Sequence, residues 1–317
     1  MPTDRRAAWL ILLAAVLWGT TGTAQDLGPD GAGSLAVGSA RLVVGGAGFV
    51  VLSLLRGRRP WMWDWPPGLL GLTAVAIAAY QVTFFGAVRL TGVAAGTIVA
   101  LGSGPVFGGL LDRVVQRRSL PLRWFASTGL AVLGAVLLVG AGDTRLEAGG
   151  VALALAAGGS YAVYALGIKL LAADRHPDDV VVVAFGAGAL LVAPILLASD
   201  PGRLLSPAGV AMELHLGLVT VTLAYLLFAR GVAAVDVGVA TTLSLSEPVT
   251  AAILGVLVLG ERLGPWQWVG VAVVLTGLAL LALPGVGSGR GPRPVSSRAD
   301  GRWRRPPPVR PSSPGAR

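Results

Sequence analysis

Thr241-Thr242-Leu243-Ser244-Leu245-Ser246-Glu247-Pro248 sits near the middle of a 23-residue run, Val237–Leu259, whose only ionisable side chain is Glu247. About 20 apolar residues in a helix cross the roughly 30 Å of hydrocarbon in a bilayer. The run therefore reads as a membrane span with an acid buried part-way along it. A shift of 143 positions lays Ser103-Gly104-Pro105-Val106 over Ser246-Glu247-Pro248-Val249, and the register extends to the rest of the chain without a gap. Trp18 then falls on Tyr161, Phe85 on Phe228, Leu120 on Leu263 and Gly134 on Gly277.

Working outward from that span, predominantly apolar stretches mark nine more. The first half gives Ala7–Gln25, Gly33–Leu55 (interrupted by Arg41), Gly68–Val88, Gly92–Leu111 and Trp124–Ala141. The second gives Gly149–Ile168, Val180–Ser199, Ala208–Ala229 and, after Val237–Leu259, Pro265–Leu283. Backbone groups in lipid must be satisfied within the segment, so the spans are helices. An odd number of spans per repeat turns the second copy upside down. The fold class is all-α integral membrane: ten transmembrane helices as two inverted five-helix repeats, residues 7–141 and 149–283. Inverted repeats are the usual architecture of secondary carriers, with the solute site between the halves near the bilayer midplane.

Composition agrees. The chain is 54% hydrophobic and 13% charged, with mean hydropathy +0.73, against about 25% charged residues in soluble domains. Without cysteine there are no disulfides, Cys-type zinc sites or thiol catalysis. With two histidines, His176 and His215, neither a metal site nor a cofactor is expected. No Gly-rich phosphate loop points to an ATP-driven pump.

Charge also gives orientation. With the N-terminus inside, 20 of the 25 basic residues face the cytoplasm, and without the tail the ratio is still 12 to 5. Both termini are expected inside, with Asp26–Asp30, Asp143–Gly149 and Asp200–Ser206 outside. Lys169 is the only lysine, which with the Ala, Gly and Val excess suggests a GC-rich bacterial genome and hence a multi-pass protein of the bacterial inner (plasma) membrane. Ala7–Gln25 has a basic flank like a secretion leader, but its apolar run exceeds the usual core of about 7–15 residues, so it reads as a retained span. Residues 285–317, rich in Pro, Gly, Ser and Arg, read as a disordered basic cytoplasmic tail. The tail carries +7 of the net +9, so the basicity marks no nucleic-acid face. Solvation is its plain reading, with attraction to anionic membrane lipids beside it.

Few residues carry chemistry. Glu247 is the sharpest, because an intramembrane acid usually faces a cavity. Pro248 beside it removes a backbone donor and frees a carbonyl one turn earlier. The competing reading is a hydrogen-bonded glutamate that locks helices together. Its repeat mate Gly104-Pro105 keeps the proline without the acid, and Pro105 and Pro248 are the expected hinges. Arg41 either clamps an anionic group or snorkels to the interface. Trp18, Thr20, Thr21, Tyr80, Gln81, Tyr161, Tyr164, Tyr225, Thr242 and Ser246 lie at cavity depth. Each singly suits interhelical packing; as a set they suggest an aromatic, polar substrate pocket. Tyr161 and Tyr164, three apart, share a helix face.

Trp18-Gly19, Arg41 early in the second span, and Ser246-Glu247-Pro248 followed by Leu259-Gly260-Glu261-Arg262-Leu263 together resemble the EamA-type carriers of the drug/metabolite transporter superfamily. The resemblance covers about residues 7–283. It implies a secondary carrier, often an exporter of amino acids or other small metabolites, with the cavity between the halves and the fifth and tenth helices peripheral. The first half departs from the pattern: Gly104 replaces the glutamate, and Val115-Gln116-Arg117-Arg118 stands where Leu-Gly-Glu is usual. The expected partners are a small-molecule solute and membrane lipids, and a homodimer is compatible with this. Translocation of a lipid or lipid-linked solute stays open. So does, more remotely, an intramembrane enzyme: His176 is in a loop and the central spans hold no aspartate pair, which leaves a Ser–His pair through His215.

Overall fold

The computed structural model describes residues 5–139 and 147–282. The tail and most of the loop expected outside at Asp143–Gly149 lie beyond them. The described residues form ten apolar helices and no strand. These are α1 Arg5–Asp26, α2 Ser34–Leu55, α3 Pro67–Gly92, α4 Ala95–Val114 and α5 Leu122–Val139 in the first half. In the second half they are α6 Ala148–Leu171, α7 Pro177–Ala198, α8 Pro207–Val232, α9 Val237–Val258 and α10 Pro265–Ala282. Several outrun the apolar stretches that announce them. α4 takes in Asp112 and Arg113, α6 Lys169, α7 Asp178 and Asp179, and α8 Arg230. Asp112, Lys169, Asp178, Asp179 and Arg230 find partners at the helix ends and do not stop the helices. α3 and α4 meet at Gly92, whose φ of +83° is a left-handed conformation that glycine adopts without steric cost.

The packing follows the repeat. α1 lies against α8 and α9, while its mate α6 lies against α3 and α4; α2 packs on its own mate α7, and α5 on its own mate α10. At the α5–α10 seam, backbones meet through glycine. A Cβ on Gly134 would stand 2.5 Å from Val274 N and 2.8 Å from Gly270 O, and one on Gly277 2.8 Å from both Ala131 N and Ser127 O. Small residues of this kind let membrane helices approach closely where no hydrophobic force drives them together. Adding 143 to Ser127, Ala131 and Gly134 gives Gly270, Val274 and Gly277, so the seam maps onto itself when the halves are exchanged.

One end of the bundle is tied by charge. Asp178 accepts from Arg230 Nε and Nη2 at 2.7 and 2.6 Å and from Arg56 Nη1 at 3.0 Å, and Arg58 pairs with Asp179. Planar guanidinium on carboxylate gives strong, oriented bonds. On the same end, the Asp112 carboxylate accepts from the N–H groups of Val237 and Gly238 at 3.1 and 2.7 Å. It thereby satisfies two otherwise orphaned donors at the start of α9. Arg56–Asp178, Arg58–Asp179 and Asp112–Gly238 all join one half to the other.

Candidate functional site

Between the halves the fold collects all four tyrosines of the chain. Tyr161 and Tyr164 project from one face of α6, ring centroids 5.3 Å apart, and Tyr80 of α3 lies 6.2 and 5.9 Å from them. Tyr225 of α8 packs against Phe185 of α7 with centroids 4.2 Å apart and planes tilted by 46°, and stands 6.0 Å from Tyr164. Trp18 of α1 closes the cluster at 5.0 Å from Tyr225, 5.3 Å from Phe228 and 6.3 Å from Tyr161. These rings come from α1, α3, α6, α7 and α8, so no single helix makes the group.

The α-helical hydrogen-bond pattern of α9 is broken beside it, while its backbone stays right-handed helical. An α-helical piece, Val237–Leu243, passes through a tight turn at Ser244–Ser246 into a second piece, Glu247–Val258. Pro248 cannot donate to Ser244 O, and the Glu247 N–H bonds that carbonyl instead. The Ser244 hydroxyl donates to Ala240 O at 3.0 Å and so accepts from Tyr161 Oη at 2.6 Å. Glu247 opens the second piece and is only partly buried. Against this break runs Gly19, where a Cβ would stand 2.8 Å from Glu247 O.

Arg41 supplies positive charge to the group. Its field reaches Glu247, Tyr80 and Tyr225. At 6% exposure it is enclosed by protein, which favours a binding arginine over a snorkelling one. Several buried polar atoms here make no hydrogen bond within the described residues: Trp18 Nε1, Arg41 Nε, Gln81 Oε1 and both carboxylate oxygens of Glu213. Native interiors pair nearly all such groups, so a collection of exceptions marks a place where something else completes them.

Not every sequence candidate joins the cluster. Thr242 is fully buried, but its hydroxyl bonds Gly238 O at 2.6 Å and Thr128 of α5 at 3.0 Å, on the far side of α9. Ser246 turns back onto Leu243 O at 2.9 Å. Pro105 lies in α4 without a break in the helix, unlike Pro248. Thr20 donates to Leu17 O at 2.7 Å and therefore accepts from His215 Nε2 at 2.8 Å. That hydroxyl is held by the imidazole and is not deprotonated by it.

Two features escaped the sequence reading. Glu213, nearly two turns into α8, is 5% exposed, and the field of Arg41 reaches it too. His215–Leu223 winds as a π-helix, a widening found often at functional sites. A charge-counting reading places Glu213 near a span end, where acids are unremarkable, and no composition rule flags a π segment.

With this geometry in view, comparison with known proteins is decisive about kind. The model of the EamA-like transporter family matches residues 5–140 and again 148–283. The chain belongs to the EamA-like transporter family. As an EamA-like protein it is a membrane transporter and not an enzyme. It is 39% identical to the transporter YwfM of Bacillus subtilis (strain 168) over 274 residues, 86% of this chain and 92% of the relative. Similarity extends to the "probable terminal-alkyne amino-acid exporter" of Streptantibioticus cattleyicolor, 28% identical over 87% of this chain and 93% of that one. The threonine/homoserine exporter RhtA of Escherichia coli (strain K12) is 26% identical over 87% and 90%. A crystal structure at 21% identity superposes with a TM-score of 0.76 over 86% of this chain and 95% of the other, a likeness of fold.

Proposed function

We propose that this EamA-like transporter is a secondary active carrier that exports a small, amino-acid-like metabolite across the bacterial plasma membrane by alternating access. The observation that carries the reading is the meeting, between inverted halves, of an aromatic cluster with buried polar atoms that lack protein partners. Trp18, Tyr80, Tyr161, Tyr164 and Tyr225 would supply the walls, Gln81 and Arg41 the polar anchors, and Glu247 a carboxylate for the solute or a coupling proton. The tight turn inside α9 is the kind of local change that marks a hinge in a helix, and Pro248 beside it would serve as that hinge, with Pro105 its mate. The exporters of amino acids among the relatives support the substrate class. Both termini would face the cytoplasm, from the arginine distribution.

The test is counterflow in sealed proteoliposomes with a broad panel of radiolabelled amino acids and small metabolites, run at two pH values. Accumulation of a panel member that depends on the same solute inside is the expected result. Labelled solute entering no faster than in protein-free vesicles would sink the proposal. Lipid scrambling in its place would turn the reading to lipid cargo.

A further inference from the structure

We infer that Arg41 and Glu213 form a paired subsite for a zwitterion, a solute carrying a carboxylate and an ammonium group together. The inference rests on the reading of the chamber between the halves as the solute site, and it adds a residue and a charge pattern to that reading.

The backbone sets the two side chains level. α2 and α8 touch where a Cβ on Gly45 would lie 3.0 Å from Gly217 O, and again where a Cβ on Gly48 would lie 2.5 Å from Thr222 Oγ1. The contact positions rise together along both helices, so the two run parallel. Arg41 and Glu213 each precede the Gly45–Gly217 contact by four residues, about one helical turn. They stand at the same depth on neighbouring helices of opposite halves.

The two charges do not pair. The field of Arg41 reaches Glu213, yet none of its nitrogens lies within 4.0 Å of that carboxylate. Both side chains are nine-tenths buried or more, and Arg41 Nε and both Glu213 oxygens make no hydrogen bond. An enclosed charge without partners is costly, and the cost disappears only when both members are completed. A simple anion would complete Arg41 and leave Glu213 bare. A proton or metal cation would do the reverse. A zwitterion completes both, its carboxylate on the guanidinium and its ammonium on Glu213. Glu247 also senses Arg41, but it is partly open and sits at the helix break, so it remains available for a second task. The repeat mates of Arg41 and Glu213 are Ala184 and Leu70, and the subsite therefore exists once, in one orientation.

The experiment uses purified full-length protein and isothermal calorimetry, with L-threonine, L-homoserine and L-leucine as probes. Each is compared with its amide, which keeps only the cation, and its N-acetyl form, which keeps only the anion. At least one free amino acid should bind about tenfold or more tighter than both of its half-charged forms. Glu213→Gln should abolish that preference while leaving the N-acetyl affinity within about twofold, and Arg41→Gln should spare the amide in the same way. Glu213→Asp should recover part of the preference, and it serves as the comparison if Glu213→Gln fails to fold. Binding of the free amino acid by Glu213→Gln at wild-type strength overturns the subsite. So does equal binding of every probe and its N-acetyl form, or no binding of any probe to the wild type. If the wild type carries only neutral or anionic solutes in proteoliposomes, the subsite falls and the carrier stands. If it carries nothing, the carrier reading falls with it.

Discussion

Trp18 and Tyr161, which hold the same place in the two halves, meet edge to face with ring centroids 6.3 Å apart and planes at 90°. Residues related by a repeat can touch only close to the axis that relates them. The aromatic cluster is thus built around the pseudo-twofold axis. The cluster itself is not symmetric: Tyr164 answers to Thr21, Tyr225 to Val82 and Arg41 to Ala184. On the proposed function, symmetry would supply the motion and the departures from it the recognition.

Glu247→Gln keeps shape and hydrogen-bonding capacity and removes titration. It should fold as the wild type does, with a flat pH profile in proteoliposome exchange where the wild type shows a sloped one. An unchanged profile together with unchanged solute affinity would make Glu247 structural.

Pro248→Ala restores a donor that can reach Ser244 O and lets the two pieces of α9 join. Exchange should slow by roughly tenfold, about 1.4 kcal/mol on the barrier, with solute affinity little altered. Pro105→Ala, in a helix already continuous, should slow it less. Equal wild-type rates in both variants would remove the hinges from these positions.

Asp178→Asn discharges the carboxylate that holds Arg56 and Arg230. The two arginine side chains are 45% and 41% exposed, so solvent screens the pairs and the expected loss is modest, about 1–2 kcal/mol in thermal unfolding. The repeat mates of Asp178, Arg56 and Arg230 are Leu35, Ser199 and Ala87. No matching ties can form at the opposite end, so the variant should also spend more time open at the arginine-rich end. Cysteine accessibility there should rise, and an unchanged pattern would show that the ion pairs do not bias the gates.

Leu27→Cys and Arg59→Cys, both at exposed positions in a cysteine-free chain, test the orientation read from the arginines. An impermeant thiol reagent applied to intact cells should label the first and miss the second. The reverse pattern would invert the topology.

The ten helices were readable from hydropathy to within a few residues, because lipid enforces a length and forbids unpaired backbone. The errors fall where charge is buried by pairing. Val180 opens an expected span, yet α7 begins at Pro177 because Arg56, Arg58 and Arg230 accommodate Asp178 and Asp179. The aromatic members of the site were readable as a set, since four tyrosines in apolar spans are rare enough to count. Their convergence was not, because it depends on five helices. Thr242 and Glu213 show the limit from both sides. Periodicity cannot say that one hydroxyl faces α5, and an acid near a span end looks ordinary until two helices close over it.

The glycine seam between α5 and α10 has a mechanical meaning. Exchanging the conformations of the two halves carries Gly134 against Val274 into Gly277 against Ala131, which is the contact already there. A contact that is its own image need not break on the way from one state to the other, so the seam can act as a fixed axle about which the rest of the bundle rocks. On the proposed alternating access, the barrier to that rocking would come from contacts without an image, such as Arg56 on Asp178. A thermostabilising change placed on the seam should leave turnover nearly untouched.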